Sequence, residues 1–232
     1  MDFSYTLSGA TPRFKKMILG VQSDVKGVPL IAGTGGLAGV IKASTVAAVD
    51  FIGVQHNVPK TTYQTAQNAD GTDNASVAEV VVNPDAVFKA KLCGGATSGT
   101  DLTAIATTAT SATGLTATFT TLAGTYDEGS LYCVTGANKG ITRRIASIAA
   151  NVATMTVAFP ADITSGDTFV ALPYAPDTAN QYVQLTTDLT ELNVTVAVDT
   201  DNANFRVLEL KMDEVGNSYA MVIAVDHMYG QG

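Results

Sequence analysis

The sequence predicts a mainly β protein: an outer β-sandwich or barrel-like domain carrying an inserted small β-barrel domain, with little helix. Three observations predict it. Thr and Ala together supply more than a quarter of the 232 residues, with 21 Gly and no Trp, a composition suited to short strands joined by tight turns. No segment of helical length carries an apolar stripe at a 3.6-residue period. Junctions marked by Gly or Pro, near Gly95 and Pro173, bracket a middle segment of different composition.

The elements follow in order. Lys16 to Val21 is a short apolar run, and Ser23 to Gly27 is a loop. Val28 to Ala32 is a second run, closed by Gly33, Gly35 and Gly36. Val40 to Ala43 and Asp50 to Val54 read as strands, and Gly53 inside the latter marks a bulge or a close backbone approach. Asn57 to Ser76 is polar, with Asp70-Gly71 as its turn signal. Val77 to Val82 and Ala86 to Leu92 are strands separated by Asn83-Pro84-Asp85.

Ala96 to Thr121 is almost wholly Ala, Thr, Ser and Gly, and its β-branched Thr content argues against a helix. Gly129 to Thr135, Arg143 to Ile148, Ala153 to Phe159 and Thr168 to Leu172 give four strands. Pro173, Pro176 and Asp177 mark a linker. Tyr182 to Leu185, Val194 to Val198, Phe205 to Lys211 and Tyr219 to Asp226 are the last strands. Phe205 to Lys211 reads as a central strand, and Tyr219 to Val225 is so apolar that it needs cover on both faces. The nested organisation is therefore residues 1–93 plus 175–232 as the outer domain, with 94–174 inserted.

Charge narrows the function classes. Net charge is −8 and the isoelectric point near 4.6, against the basic footprint that nucleic-acid binding needs. One local exception is Arg13, Phe14, Lys15 and Lys16, either a solvated basic patch or a docking arm for an acidic partner. The longest apolar run is only a few residues, whereas a membrane-spanning helix needs about 20. Met1 to Thr11 lacks the order of a secretory signal, so a reducing cytoplasm is expected, and Cys93 and Cys133 are expected as free, buried thiols rather than a disulfide framework or zinc site. The sequons at Asn74 and Asn193 are then chance matches.

The motifs that could carry chemistry are weak. Gly33-Thr34-Gly35-Gly36-Leu37-Ala38 fits a dinucleotide fingerprint, with Asp50 at the spacing of a ribose contact. The residues that follow open with Gly and β-branched side chains, a poor helix, so a glycine-rich turn is expected. His56 and His227 are the only histidines, and adjacent Asp226-His227 point to opposite faces of a strand. No nucleophile elbow accompanies them. Asp199 to Asn204 alternates oxygen ligands, but a calcium loop needs Gly and Glu where Asn204 and Leu210 stand. Asp127-Glu128 and the pair Asp162 and Asp167 read as solvated turns, since no Trp supplies a sugar platform. No catalytic residue, cofactor or metal is expected.

Four stretches carry a resemblance. Val80-Val81-Val82-Asn83-Pro84-Asp85-Ala86-Val87-Phe88-Lys89-Ala90-Lys91-Leu92-Cys93-Gly94-Gly95 resembles a segment of structural proteins of tailed bacteriophages. Gly129 to Ile145, with Cys133-Val134-Thr135-Gly136-Ala137-Asn138-Lys139-Gly140, and Phe159 to Phe169, with Gly166-Asp167-Thr168-Phe169, are similar to the same group. Val28 to Val54, through its Gly-rich turn and Phe51-Ile52-Gly53-Val54, resembles capsid decoration proteins.

The resemblance implies a non-enzymatic virion protein, made in the host bacterial cytoplasm and seated on the capsid surface. Its partners would be the major capsid protein and itself, as a homotrimer, with no nucleic acid and no membrane. An N-terminal arm, mapped by position onto residues 1–16, would place Arg13, Phe14, Lys15 and Lys16 at the capsid contact. The alternatives are a tail-tube or head-fibre subunit and, from a different class, a carbohydrate-acting enzyme domain.

Overall fold

The computed structural model describes residues 4–5, 13–19, 29–32, 39–42, 51–55, 60–61, 76–83, 85–97, 99, 102–178, 180–187, 191–195 and 203–225. The strands among them are β1 (Ser4–Tyr5), β2 (Phe14–Leu19), β3 (Pro29–Ala32), β4 (Gly39–Lys42), β5 (Phe51–Gln55) and β6 (Lys60–Thr61). They continue with β7 (Ser76–Val81), β8 (Val87–Cys93), β9 (Ile105–Ala112), β10 (Thr116–Phe119), β11 (Ser130–Cys133) and β12 (Thr142–Ala149). The last are β13 (Val152–Met155), β14 (Thr168–Leu172), β15 (Tyr182–Leu185), β16 (Leu192–Asn193), β17 (Phe205–Met212) and β18 (Ser218–Ala224). Among the described residues a single 3-10 turn covers Gly124–Tyr126. The fold is mainly β, as the composition predicts.

The chain divides into two compact units. One holds Met1–Thr100, Thr178–Glu209 and Ala220–Gly232; the other holds Asp101–Asp177 and adds Leu210–Tyr219, the tip of the β17–β18 hairpin.

The unit built on Asp101–Asp177 is a closed six-stranded barrel in the order β10-β13-β12-β11-β14-β9. Alternation along each strand sends one set of side chains inward. Ala109, Ala117, Phe119, Leu131, Cys133, Ile145, Ala153, Met155, Phe169 and Ala171 form that core. Phe169 sits edge-on to both Phe119 and Phe159, with ring centroids 5.3 and 5.9 Å apart. The small inward alanines of β9, β10 and β13 leave room for these rings. Two tight links close the wall: Ala150 and Asn151, both at positive φ, join β12 to β13, and Thr113 to Leu115 join β9 to β10.

β14 is buried on both faces. Phe169 and Ala171 point into the barrel, while Val170 and Leu172 point outward and are covered by Met212, Leu210, Leu102 and Ala104. Gly216 completes that cover. It has φ +86°, and a Cβ there would collide with the Ala104 side chain.

The described residues of the other unit form two sheets. β2-β4-β3-β5-β7 closes on itself through a β2–β7 pairing, with β6 continuing along β7. β8-β16-β15-β17-β18 closes through β8–β18, with β1 added to β8 opposite Lys89 and Phe88. Gly53 is buried, and its Cα faces the Val81 carbonyl so closely that a Cβ has no room. The register slips between Leu30 and Ile31, so Ile52 is skipped as Leu30 meets Gly53 and Ile31 meets Phe51. Gly53 thus marks both a close approach and a bulge, as its place in an apolar strand predicts.

Two details depart from the sequence reading and one agrees with it. The strand expected over Val194 to Val198 lies earlier, at β16, because Leu192 and Asn193 pair in parallel with Leu92 and Cys93; residues 196–198 lie outside the described set. β17 lies between β15 and β18, the central place its sequence predicts, with one face exposed. β18 alternates buried with half-buried positions, so its second face is only partly covered.

Candidate functional site

The sequence points first to Arg13, Phe14, Lys15 and Lys16. Phe14, Lys15 and Lys16 open β2, which runs antiparallel to β7 with Phe14 opposite Val81, Lys15 opposite Val80 and Lys16 opposite Glu79. Arg13 stands just before the strand. Its N–H donates to Asn83 Oδ1, and its carbonyl accepts from Val82 N at 3.0 Å. Asn83 is itself buried, and its own carbonyl accepts from Ala86 N. Both sides of the Arg13 backbone are therefore fixed, while Arg13 and Phe14 are exposed, Phe14 by 48 %. The result is a basic and an aromatic residue, both exposed, carried on a tethered backbone. Ser4–Tyr5 of the same N-terminal segment is engaged in β1.

Acidic residues considered for catalysis hold turns. Asp162 Oδ1 accepts from Gly114 N at 2.9 Å, and Asp167 Oδ2 accepts from Thr164 N at 2.9 Å. Glu128 takes a positive φ and lies 3.9 Å from Arg144. The Arg144 guanidinium pairs more closely with Asp177, where the chain leaves the barrel. Beside it Ser130 Oγ donates to the Tyr174 carbonyl at 2.7 Å. Burial, then the Asp177 charge, raises the Tyr174 hydroxyl well above the ordinary phenol range.

Polar groups that no local pattern announces do similar work. The Asn138 side chain makes a two-way clamp on Ala161, donating from Nδ2 to its carbonyl and accepting from its N–H. Glu191, nearly buried, pairs with Lys91 Nζ at 3.3 Å and accepts from Gly99 N at 3.0 Å. Asn193 Oδ1 accepts from both the N–H and the hydroxyl of Thr195. Asn193 is buried, so this sequon has no accessible amide, consistent with a chance match. Of these only Asn193 interrupts apolar neighbours, Leu192 and Val194, while Asn138 sits in a Gly-flanked turn and Glu191 follows a polar stretch.

Cys133 and Cys93 are both free and buried. The Cys133 thiol donates to the Thr135 carbonyl. Burial, reinforced by the Asp167 charge, pushes it up to about 11 even though the bond to Thr135 pulls the other way.

A hollow of about 100 Å³ on the second unit is lined by Ser111, Thr113, Thr116, Thr118 and Val152. Ligand pockets run to roughly 300–1,000 Å³, and the Thr113 hydroxyl there already bonds Thr116. Among the described residues no group of three or more His, Cys, Asp or Glu could hold a metal ion. Nor is any helix among them long and apolar enough to cross a membrane. Gly33 to Ala38, Asp50, His56, Asp199, Asp201, Asp226 and His227 lie outside the described residues. Asn204, the end of the acidic stretch, is buried and accepts from Leu185 N through Oδ1.

Comparison with family models, with curated proteins and with solved structures finds no match.

Proposed function

We propose that this chain is a non-enzymatic virion protein that binds the assembled head of a tailed bacteriophage and stabilises its shell. The observation that carries the reading is how the buried polar side chains are used. Asn83, Asn138, Glu191, Asn193 and Asn204 each bond backbone groups, so they hold the fold's shape. That is the economy of a scaffold that presents surfaces. The resemblance of Val80 to Gly95, Gly129 to Ile145 and Phe159 to Phe169 to phage structural proteins supplies the class of partner.

In this reading the major capsid protein is met through Arg13 and Phe14, with Lys15 and Lys16 continuing the same strand. The tethered backbone lowers the ordering cost of such a contact. Copies assembled as trimers multiply a modest affinity into firm attachment, and the acidic remainder of the chain favours solubility on the outside of the head.

Co-sedimentation with empty expanded capsids tests it. Saturable binding that falls at least about tenfold in Arg13→Glu or Phe14→Ala is expected, since a buried aromatic or Arg anchor carries about 1–2 kcal/mol or more. A protein that ignores shells but forms rings or fibres belongs to the tail or the head fibres instead. One that ignores shells and assembles into nothing overturns the reading.

A further inference from the structure

Asn83 is a polar residue that the fold keeps almost wholly from water. It follows Val80, Val81 and Val82 and is 5 % exposed. Its side-chain oxygen reaches a residue 70 positions away, accepting the N–H of Arg13. Asn83 is itself held from the other side, because its carbonyl accepts from Ala86 N at 3.3 Å. Ala86, Val87 and Phe88 are buried, so the oxygen that meets Arg13 stands on a fixed base.

The bond falls where the β2–β7 ladder ends. Phe14 faces Val81 in the last pair, and Arg13 would face Val82 in the next. An antiparallel pair of that kind exchanges two backbone bonds. One is made, from Val82 N to the Arg13 carbonyl at 3.0 Å. In place of the other, the Arg13 N–H donates to the Asn83 side chain. Arg13 and Phe14 are exposed, and water readily satisfies the amide of an exposed residue. Burying a side-chain amide, by contrast, costs free energy until its hydrogen bonds are made. What the Asn83 bond adds is order at the Arg13 backbone.

We propose that Asn83 is the positioning residue of the shell contact. It touches no partner itself, but it holds the Arg13 backbone so that Arg13 and Phe14 meet the capsid already ordered. This rests on the reading that Arg13 and Phe14 make that contact. Ordering one backbone residue costs a factor of about five to thirty in an equilibrium. The Val82 bond remains when Asn83 is truncated, so the loss sits at the lower end of that range.

Co-sedimentation of the full chain with empty expanded capsids tests it. Asn83→Ala is expected to bind roughly fivefold more weakly, and Asn83→Asp, which keeps the acceptor oxygen, close to wild type. In a chain already carrying Arg13→Ala and Phe14→Ala, Asn83→Ala is expected to change nothing further, since no contact is left to position. Amide exchange on the free chain gives a second readout: the Arg13 N–H is protected in the wild type and loses that protection in Asn83→Ala. An unprotected Arg13 N–H in the wild type overturns the proposal without any variant. Shell binding that is equal in wild type and Asn83→Ala, or that falls equally in both backgrounds, overturns it and leaves the shell-binding reading standing. A wild type that ignores shells overturns that reading, and the proposal with it.

Discussion

Glu191 reaches 92 positions back along the chain to accept the Gly99 N–H at 3.0 Å, while its other carboxylate oxygen meets Lys91 Nζ at 3.3 Å. One nearly buried carboxylate thereby fixes the segment that follows β8 onto β16. Thr186 secures the same residue from the other side, since its Oγ1 accepts from Glu191 N at 3.1 Å and its N–H donates to the Glu191 carbonyl at 2.9 Å. A charge this far from water is tolerable because both oxygens are engaged.

Glu191→Ala removes those acceptors and is expected to lower unfolding stability by about 1–3 kcal/mol. Glu191→Gln keeps an acceptor for Gly99 and costs less. Urea denaturation of both variants measures the difference; equal losses would mean the bond to Gly99 contributes nothing.

Ala150 and Asn151 form the two-residue link between β12 and β13 with φ of 47° and 66°. Such primed turns match the strand twist but strain any residue with a Cβ. Asn151 also holds Leu122 N through Oδ1, so it should stay. Ala150→Gly relieves the strain and is expected to raise stability by about 0.5–1 kcal/mol, read as a higher midpoint in thermal unfolding.

Gly53→Ala drives a methyl into the Val81 carbonyl and towards Val80 Cγ1, 2.9 Å from its ideal position. Backbone cannot rotate aside as a side chain can. A loss of about 2–3 kcal/mol is expected, with amide exchange accelerated along β5 and β7 before the rest of the chain.

Cys133, its thiol pushed up to about 11, stays protonated where an exposed thiol near 8.5 would ionise. Iodoacetamide at mildly alkaline pH should leave it unmodified in the native state and label it after denaturation. The folded thiol's raised value favours the neutral form, so its contribution is present in full below about pH 8.5. It is lost as pH rises towards about 11. Stability measured across that window should fall, and Cys133→Ala should flatten the fall.

Asp213 shows the opposite sign. Burial opposes ionisation, but hydrogen bonds from the Asn217 side chain and from the Val215, Asn217 and Gly216 N–H groups outweigh it and hold the carboxyl below its ordinary range. Its stabilising contribution is therefore present above about pH 4 and is lost as pH falls through the depressed value. A carboxyl resonance titrated by NMR should move back up in Asn217→Ala. No movement would show that the Asn217 side chain is not the holding group.

How much of this was legible depends on the range of the interaction involved. β-branched runs between Gly, Asn and Pro turns announced β3, β5, β7, β8 and β14, because strand preference and turn geometry act over two to four neighbouring residues. Gly53 announced its own bulge for the same reason. β9 and β10 were hidden in the Ala- and Thr-rich stretch: their inward residues include Ala109 and Ala117, too small to show alternation, with Phe119 at the end of β10 the large one. The exposed Arg13–Phe14 pair was visible as residue types, but not its fixing by Asn83, which comes from 70 positions away.

By itself, then, the sequence determined a mainly β protein of short strands, with a basic–aromatic cluster near its start. Tertiary structure decided which sheets close, that β14 is covered on both faces, and that Leu208 and Glu209 of β17 are both exposed. Those depend on closing barrels and matching register between strands far apart in sequence. No window of neighbouring residues contains that information, because the energy lies in pairs the chain must first fold to form.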